Sequence, residues 1–372
     1  MISEIFVRGV IMRRTIDSLA FMNYVKYDRL NELIRYAYVG SNATKINIYV
    51  DLYPIIRSIY ADTYQVSYNG FMDLVPLIIN ICAHYRYFFR KGYGVESTIY
   101  LVAGRNHPEL STMIILEYNY GMRKREQGPT HSVMDDMLAS NLQILEIMCP
   151  YLPDIHFINS AFETSVAIAY IIDNQYDKSI PNLVISKDLY PIQLVAQYVN
   201  TSFLHPCKSN DGTMSEDISV ILKSTIDEES CRDFWKFILT SHKINTDIID
   251  KASIHPINFS TTLAFSGMSE RSIKSLMHLP TIMNYIHQII GNSSTQCSID
   301  TIFETFGLDS KISRQNIKDK FHVLDVPYQV ESVYRSSNEA ILQKFENKVD
   351  PIAVKAICDK YFNNIPINLE RL

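Results

Sequence analysis

Glycine is scarce, with 12 in 372 residues. Loops that cradle a phosphate in backbone N–H groups draw on several glycines within a few positions, so the composition argues against that chemistry. Cysteine is sparse too. The six (Cys82, Cys149, Cys207, Cys231, Cys297, Cys358) include no C-x-x-C pair, and several sit in apolar runs such as IINICAHY. They read as buried free thiols of a reducing compartment rather than as staples or zinc ligands. The ten histidines show neither an H-x3-H nor an H-E-x-x-H spacing, which argues against a zinc site. Long apolar runs are missing: the longest reach about 10–12 residues, against the ~20 that a spanning helix needs. The opening segment, MISEIFVRGVIMRRTIDSLAF, mixes charges among its apolar residues and contains no signal-peptide core. A soluble chain with no membrane partner is expected, cytoplasmic or packaged in a particle. One sign of charge does not dominate either. Lys and Arg number 35 against 40 Asp and Glu, a net charge of −5. That argues against a protein basic all over and leaves a local basic groove open.

What is present is a chain rich enough in apolar residues, at 47%, to bury a sizeable core. Its length suits two domains, or one large domain with an appendage. Residues 15–38 carry a helical period. KINIYVDLY (45–53) is a short run of Ile, Val and Tyr, which predicts a buried strand ending at Asp51. After LYPIIRSIY, a helix is expected from Phe71 to Arg90, stopped by Gly92 and Gly94. STIYLVAG (97–104) predicts a second strand. HSVMDDMLASNLQILEIMC reads as helix, DIHFIN (154–159) as strand, AFETSVAIAYIID as helix and NLVIS (182–186) as strand. This alternation implies an α/β fold with a mainly parallel sheet flanked by helices. Beyond about residue 210 the strands are expected to stop and helices to follow. The partition is a helical extension at 1–44, an α/β domain at 45–205, a helical part at 206–297 and a C-terminal helical region at 298–372.

In such sheets ligands sit beyond the carboxyl ends of the strands. Asp51 ends the first strand, Glu163 opens the helix after the third, and Asp188 follows the fourth. Three carboxylates from distant parts of the chain thus fall at one sheet edge, the kind of cluster that holds Mg2+ or Mn2+. The plainer reading is that strand-end Asp and helix-start Glu are common caps.

The order of these segments resembles the phage and bacterial 5′→3′ exonucleases and flap endonucleases, relatives of the PIN-type nucleases. The likeness covers roughly residues 45–290. IYVDLYPIIRSIY resembles the first strand and helix, with Asp51 at a metal position. In TIYLVAGR, Ala103-Gly104 stands where that family has Asp-Gly. LEYNYGMRKRE resembles the basic arch: Glu117 and Tyr118 match, Asn119 replaces a lysine, and Arg123, Lys124 and Arg125 keep the charge. AFETSVAIAYI resembles the Glu-Ala-Asp-Asp helix and keeps Glu163, with Ser165 and Val166 at the two aspartates. LVISKDLYPIQLV resembles the Ser-x-Asp-x-Asp segment and keeps Ser186 and Asp188, with Tyr190 at the second aspartate. LAFSGMSERSIKSL resembles a helix–turn–helix element, with Met268 and Arg271 at its acids.

The resemblance implies a PIN/exonuclease-like sheet, a divalent-metal site, and DNA with a single-strand/duplex junction or a 5′ end as partner. Tyr118, Arg123, Lys124 and Arg125 would hold a single strand. Ser269, Arg271, Ser272 and Lys274 would grip duplex backbone. The missing acids cut into the charge that holds hard cations. The three that remain, Asp51, Glu163 and Asp188, suit one Mg2+ or Mn2+ rather than two ions. Two readings stay open: a one-metal 5′ nuclease of phage or viral origin, or a degenerate nuclease fold that binds without cutting. The latter includes a non-catalytic subunit of a replication, transcription or virion assembly. Asp62, Asp73 and Asp173 are candidates to replace the missing acids. Arg86, Arg90 and Lys91 read as complements to a helix dipole, His255-Pro256 and Cys207 as loop residues, and Trp235 with Phe234, Phe237 and Ile238 as core of the second domain.

Overall fold

The computed structural model describes residues 43–52, 74–104, 129–160, 162–186, 188–208, 214–222, 226–241, 254–266, 289–291, 293–310, 312–335 and 348–361. Six strands form one sheet: β1 (Lys45–Asp51), β2 (Glu96–Gly104), β3 (Ile155–Ser160), β4 (Asn182–Ile185), β5 (Thr201–Lys208) and β6 (Met214–Leu222). Their order is β3-β2-β1-β4-β5-β6. The first five are parallel, and β6 runs antiparallel to β5. This is the expected α/β architecture. β1 sits at its centre, buried on both faces, which is why KINIYVD reads as a near-continuous apolar run.

The two faces bury separate sets of side chains. Ile46, Ile48 and Val50 of β1, with Ile99 and Leu101 of β2, pack against α1 (Leu74–Tyr93) and α2 (Pro129–Met148). Tyr49, Val102, Ile158, Val184 and Phe203 point the other way, toward α3 (Thr164–Asp173). Each aliphatic side chain so buried contributes about 1.5–3 kcal/mol. The second face extends into the later helices: α4 (Ile192–Gln197), α5 (Glu228–Ser241), α6 (Phe259–Ser266), α7 (Ile299–Phe306), α8 (Arg314–Leu324) and α9 (Val326–Arg335). Trp235 of α5 belongs to this core. Its indole N–H donates to the Ile254 carbonyl at 2.7 Å and its ring stacks on Phe259. The helical part therefore shares a hydrophobic core with the sheet. The last helix, α10 (Pro351–Tyr361), returns to the opposite face, where Val354 is buried in the same core as Cys149. The Lys348 N–H donates to the Pro150 carbonyl and the Asp350 N–H to the Tyr151 carbonyl just before it.

Several expectations need correction. The strands do not stop at residue 210. β5, interrupted in sequence by His205 and Pro206, and β6, which opens with the polar Met-Ser-Glu-Asp, continue the sheet. Pro206 lies next to a register shift between β5 and β6, where a missing N–H is tolerated. Cys207 consequently lies in a strand, not a loop. Arg86 is buried rather than serving the helix dipole. It pairs with Asp154 at 2.5 Å, donates to the Pro153 carbonyl, and so pins α1 to the turn before β3. Arg90 and Lys91 do occupy the last turn of α1, and Gly94, at φ +67°, follows it. Residues 1–42 of the expected N-terminal extension lie outside the described residues, as do residues 267–276 of the helix–turn–helix segment LAFSGMSERSIKSL, whose first four residues end α6.

A candidate metal centre at the strand ends

Parallel pairing brings the site together. β1 and β4 run side by side, with Val50 opposite Ile185. The next residues, Asp51 and Ser186, are therefore neighbours, and alternation turns both toward the α3 face. Both are buried. The Ser186 hydroxyl donates to Asp51 Oδ2 at 2.7 Å and accepts the Asp188 N–H at 2.9 Å. One hydroxyl thus ties the first acid to the backbone that carries the third. The other Asp51 oxygen, Oδ1, is buried and has no hydrogen-bond partner.

On the other side of β1, β2 ends at Gly104 against the N-terminus of α3. The Gly104 N–H donates to Thr164 Oγ1 at 3.1 Å. A Cβ on Gly104 would stand 2.6 Å from Thr164 Cα, so only glycine permits this approach. Glu163 is the N-cap of α3, in extended conformation, with Oε2 accepting the Ser165 N–H at 2.9 Å and Oε1 facing the Ser165 hydroxyl at 3.4 Å. The plainer reading of Glu163, as a cap, is realised.

The electrostatics show that the three acids feel one another. Burial raises Asp51 well above its ordinary carboxylate value. Repulsion from Asp188 and from Glu163 adds to this, while the Ser186 and Thr164 hydroxyls pull the other way. Glu163 is pushed up to about 7, first by burial and then by Asp188, against the stabilising bonds from Ser165 and Val166. Among the described residues, no cation offsets this crowding at Asp51 or Glu163.

Among the expected site residues, Asp51, Glu163 and Asp188 fall at one sheet edge, near enough to repel one another. The positions without acids are apolar or hydroxylic as read: Ala103, Ser165 and Val166 are buried, and Tyr190 sits edge-on to Phe259 with ring centroids 6.1 Å apart. Asp173 does not replace a missing acid. It lies at the far end of α3, ten residues or about 15 Å along the axis from the site. Asp62 and Asp73 lie outside the described residues. So do Tyr118, Arg123, Lys124, Arg125, Ser269, Arg271, Ser272 and Lys274. His255, expected in a loop, is buried, and its Nδ1 accepts the Ile257 N–H at 3.2 Å. The bridging role of Ser186 and the fit of Gly104 to Thr164 were missed from the sequence. Both residues were visible there only as matching letters of a motif.

Among the described residues, no three His, Cys, Asp or Glu side chains are gathered closely enough, as they stand, to hold a metal ion. The donor set nonetheless suits one hard divalent cation. It consists of all-oxygen carboxylates, one of which keeps a buried oxygen unbonded. Asp51 and Asp188 would be the principal ligands, and Glu163 would have to release part of its cap to join them.

No protein-family profile and no curated protein matches the chain. Among solved structures, it is similar to a pseudo-enzyme form of the bacteriophage T5 flap endonuclease in a product complex with DNA and metal ions. There the identity is 12% and the TM-score 0.42, over 82% of this chain and 98% of that one. The T5 5′-exonuclease with zinc bound gives 13% identity and a TM-score of 0.42, covering 85% and 98% of the two chains. The T5 D15 protein co-crystallised with metal ions gives 10% and 0.42, covering 84% and 98%. At this level of overlap the likenesses carry no argument of their own, and the functional reading rests on the residues at the strand ends.

Proposed function

We propose that this chain is a 5′-exonuclease/flap-endonuclease-like DNA-binding protein of phage or viral origin, with a site reduced to one divalent cation and weakened or lost phosphodiester hydrolysis. It would act in the host cytoplasm or within a virion. The observation that carries the reading is the buried, unbonded Oδ1 of Asp51 among three mutually repelling carboxyls. Asp51 and Asp188 would hold Mg2+ or Mn2+, and Glu163 would contribute its charge from the helix start. The chemistry that such an ion supplies when bound is activation of water and neutralisation of phosphate charge. Arg123, Lys124 and Arg125, with Tyr118, would steer a single strand. Ser269, Arg271, Ser272 and Lys274 would hold the duplex beyond the junction or 5′ end.

One observation favours the alternative, a non-catalytic nuclease-fold subunit of a replication, transcription or virion assembly. Both oxygens of Glu163 face groups of Ser165, and Val166 leaves the site short of ligand charge. The test is cleavage of a labelled 5′-flap and a 5′-recessed duplex with Mg2+ or Mn2+, by wild type and Asp51→Ala, with binding measured on the same samples. Slow cleavage abolished by Asp51→Ala supports a reduced nuclease. Salt-sensitive binding without cleavage supports a DNA binder that has lost hydrolysis. Absence of both overturns the proposal and leaves the assembly-subunit reading.

A further inference from the structure

We infer that Ser186 is a positioning residue that sets the cation affinity of the strand-end site by choosing which oxygen of Asp51 faces the ion. The inference rests on the metal reading of that site. A serine hydroxyl has one proton to give, and here it is given to Asp51 Oδ2 at 2.7 Å. Its lone pair receives the Asp188 N–H at 2.9 Å. Oδ2 is thereby held in a hydrogen bond on the β4 side, the Thr164 hydroxyl acts on the same carboxylate from the α3 side, and Oδ1 has no partner at hydrogen-bond geometry. The same contact anchors the turn after β4, from which the Asp188 carboxylate springs. Because Ser186 is fully buried, water cannot stand in for the lost hydroxyl without entering the core. Partners of this kind, which touch the ligands and not the ion, typically change metal affinity by about 10–100-fold when removed.

The two acids also need a shared reference. Asp51 ends β1, and Asp188 lies two residues past β4 in a loop. Pairing between these strands ends at Val50 and Ile185. Beyond that point the ladder no longer fixes their relative placement, and the Ser186 hydroxyl links Asp51 to the backbone of Asp188 across the gap.

The experiment measures Mn2+ binding to the full chain, by the loss of the free-ion paramagnetic resonance signal, for wild type, Ser186→Ala, Ser186→Cys and Ser97→Ala. Ser97 is a buried serine on β2, near the opposite end of the sheet, and controls for loss of a buried hydroxyl. Metal-free melting is recorded for each. Ser186→Ala is expected to weaken Mn2+ binding at least tenfold, and Ser97→Ala to leave it unchanged. Ser186→Cys keeps the side chain's shape but donates weakly, so it is expected to weaken binding too. It supplies the answer if the alanine variant fails to fold. If wild type binds Mn2+ and the folded Ser186 variants bind equally well, the role assigned to Ser186 is overturned while the metal reading stands. If wild type binds no Mn2+, the metal reading fails and this inference falls with it.

Discussion

Replacing Glu163 by glutamine is expected to stabilise the metal-free protein above neutral pH and to remove a pH dependence of folding. Glu163 titrates near 7 in the folded chain, raised from an ordinary 4.5 by burial and by Asp188. A group raised in this way keeps its proton longer in the folded state than in the unfolded one. Its contribution is complete below about pH 4.5 and is lost as pH rises through about 7. A rise of that size corresponds to about 3 kcal/mol. Glu163 keeps some access to solvent, which trims the figure to about 2 kcal/mol. Glutamine still offers an oxygen to the Ser165 N–H, so most of the cap survives; the helix-start charge it lacks is present in wild type only above about pH 7. The assay is urea unfolding in EDTA from pH 5 to pH 8, followed by fluorescence of the sole tryptophan, the buried Trp235. The variant should be about as stable as wild type at pH 5 and more stable, by about 1–2 kcal/mol, at pH 8. Added Mg2+ should raise wild type at pH 8 more than the variant. A wild-type-to-variant difference that stays constant with pH would refute the reasoning, because it would mean that Glu163 carries no shifted titration.

Two further outcomes are expected. Gly104→Ala drives a methyl group into Thr164 and should destabilise by about 1–3 kcal/mol, a melting shift of about 1–4 °C for a chain of this size. Gly92→Ala, with open space around it near the end of α1, should be neutral or slightly stabilising; equal effects at the two sites would contradict the close approach of β2 to α3. Replacing Arg123, Lys124 and Arg125 together by alanine should flatten the salt dependence of single-strand binding by about 2 in log–log slope. An unchanged slope would remove those residues from the interface.

The central strand and its terminal acid were legible because β1 is buried on both faces, so its run of Ile, Val and Tyr has little competing explanation. The alternation of strands and helices gave the parallel sheet for the same reason. β5 and β6 were not legible. Their stability comes from pairing at one side of the sheet, and their sequences interrupt the apolar pattern with His205, Pro206 and the polar start of β6. The role of Arg86 is not legible in sequence because a basic residue near a helix end has a cheap surface role, whereas its partner, Asp154, is 68 residues away in sequence. The site divides in the same way. That Asp51, Glu163 and Asp188 converge followed from topology. That Ser186 shares a single hydroxyl between two of them, and that Glu163 caps its own helix, depend on side-chain geometry that spacing does not encode.

The most direct test of the account is the stoichiometry of Mn2+ bound to the wild-type chain, compared with Asp51→Asn at neutral pH. The account predicts one ion per chain, with affinity at least tenfold weaker in Asp51→Asn. No bound ion, or an ion whose affinity ignores Asp51, would contradict it.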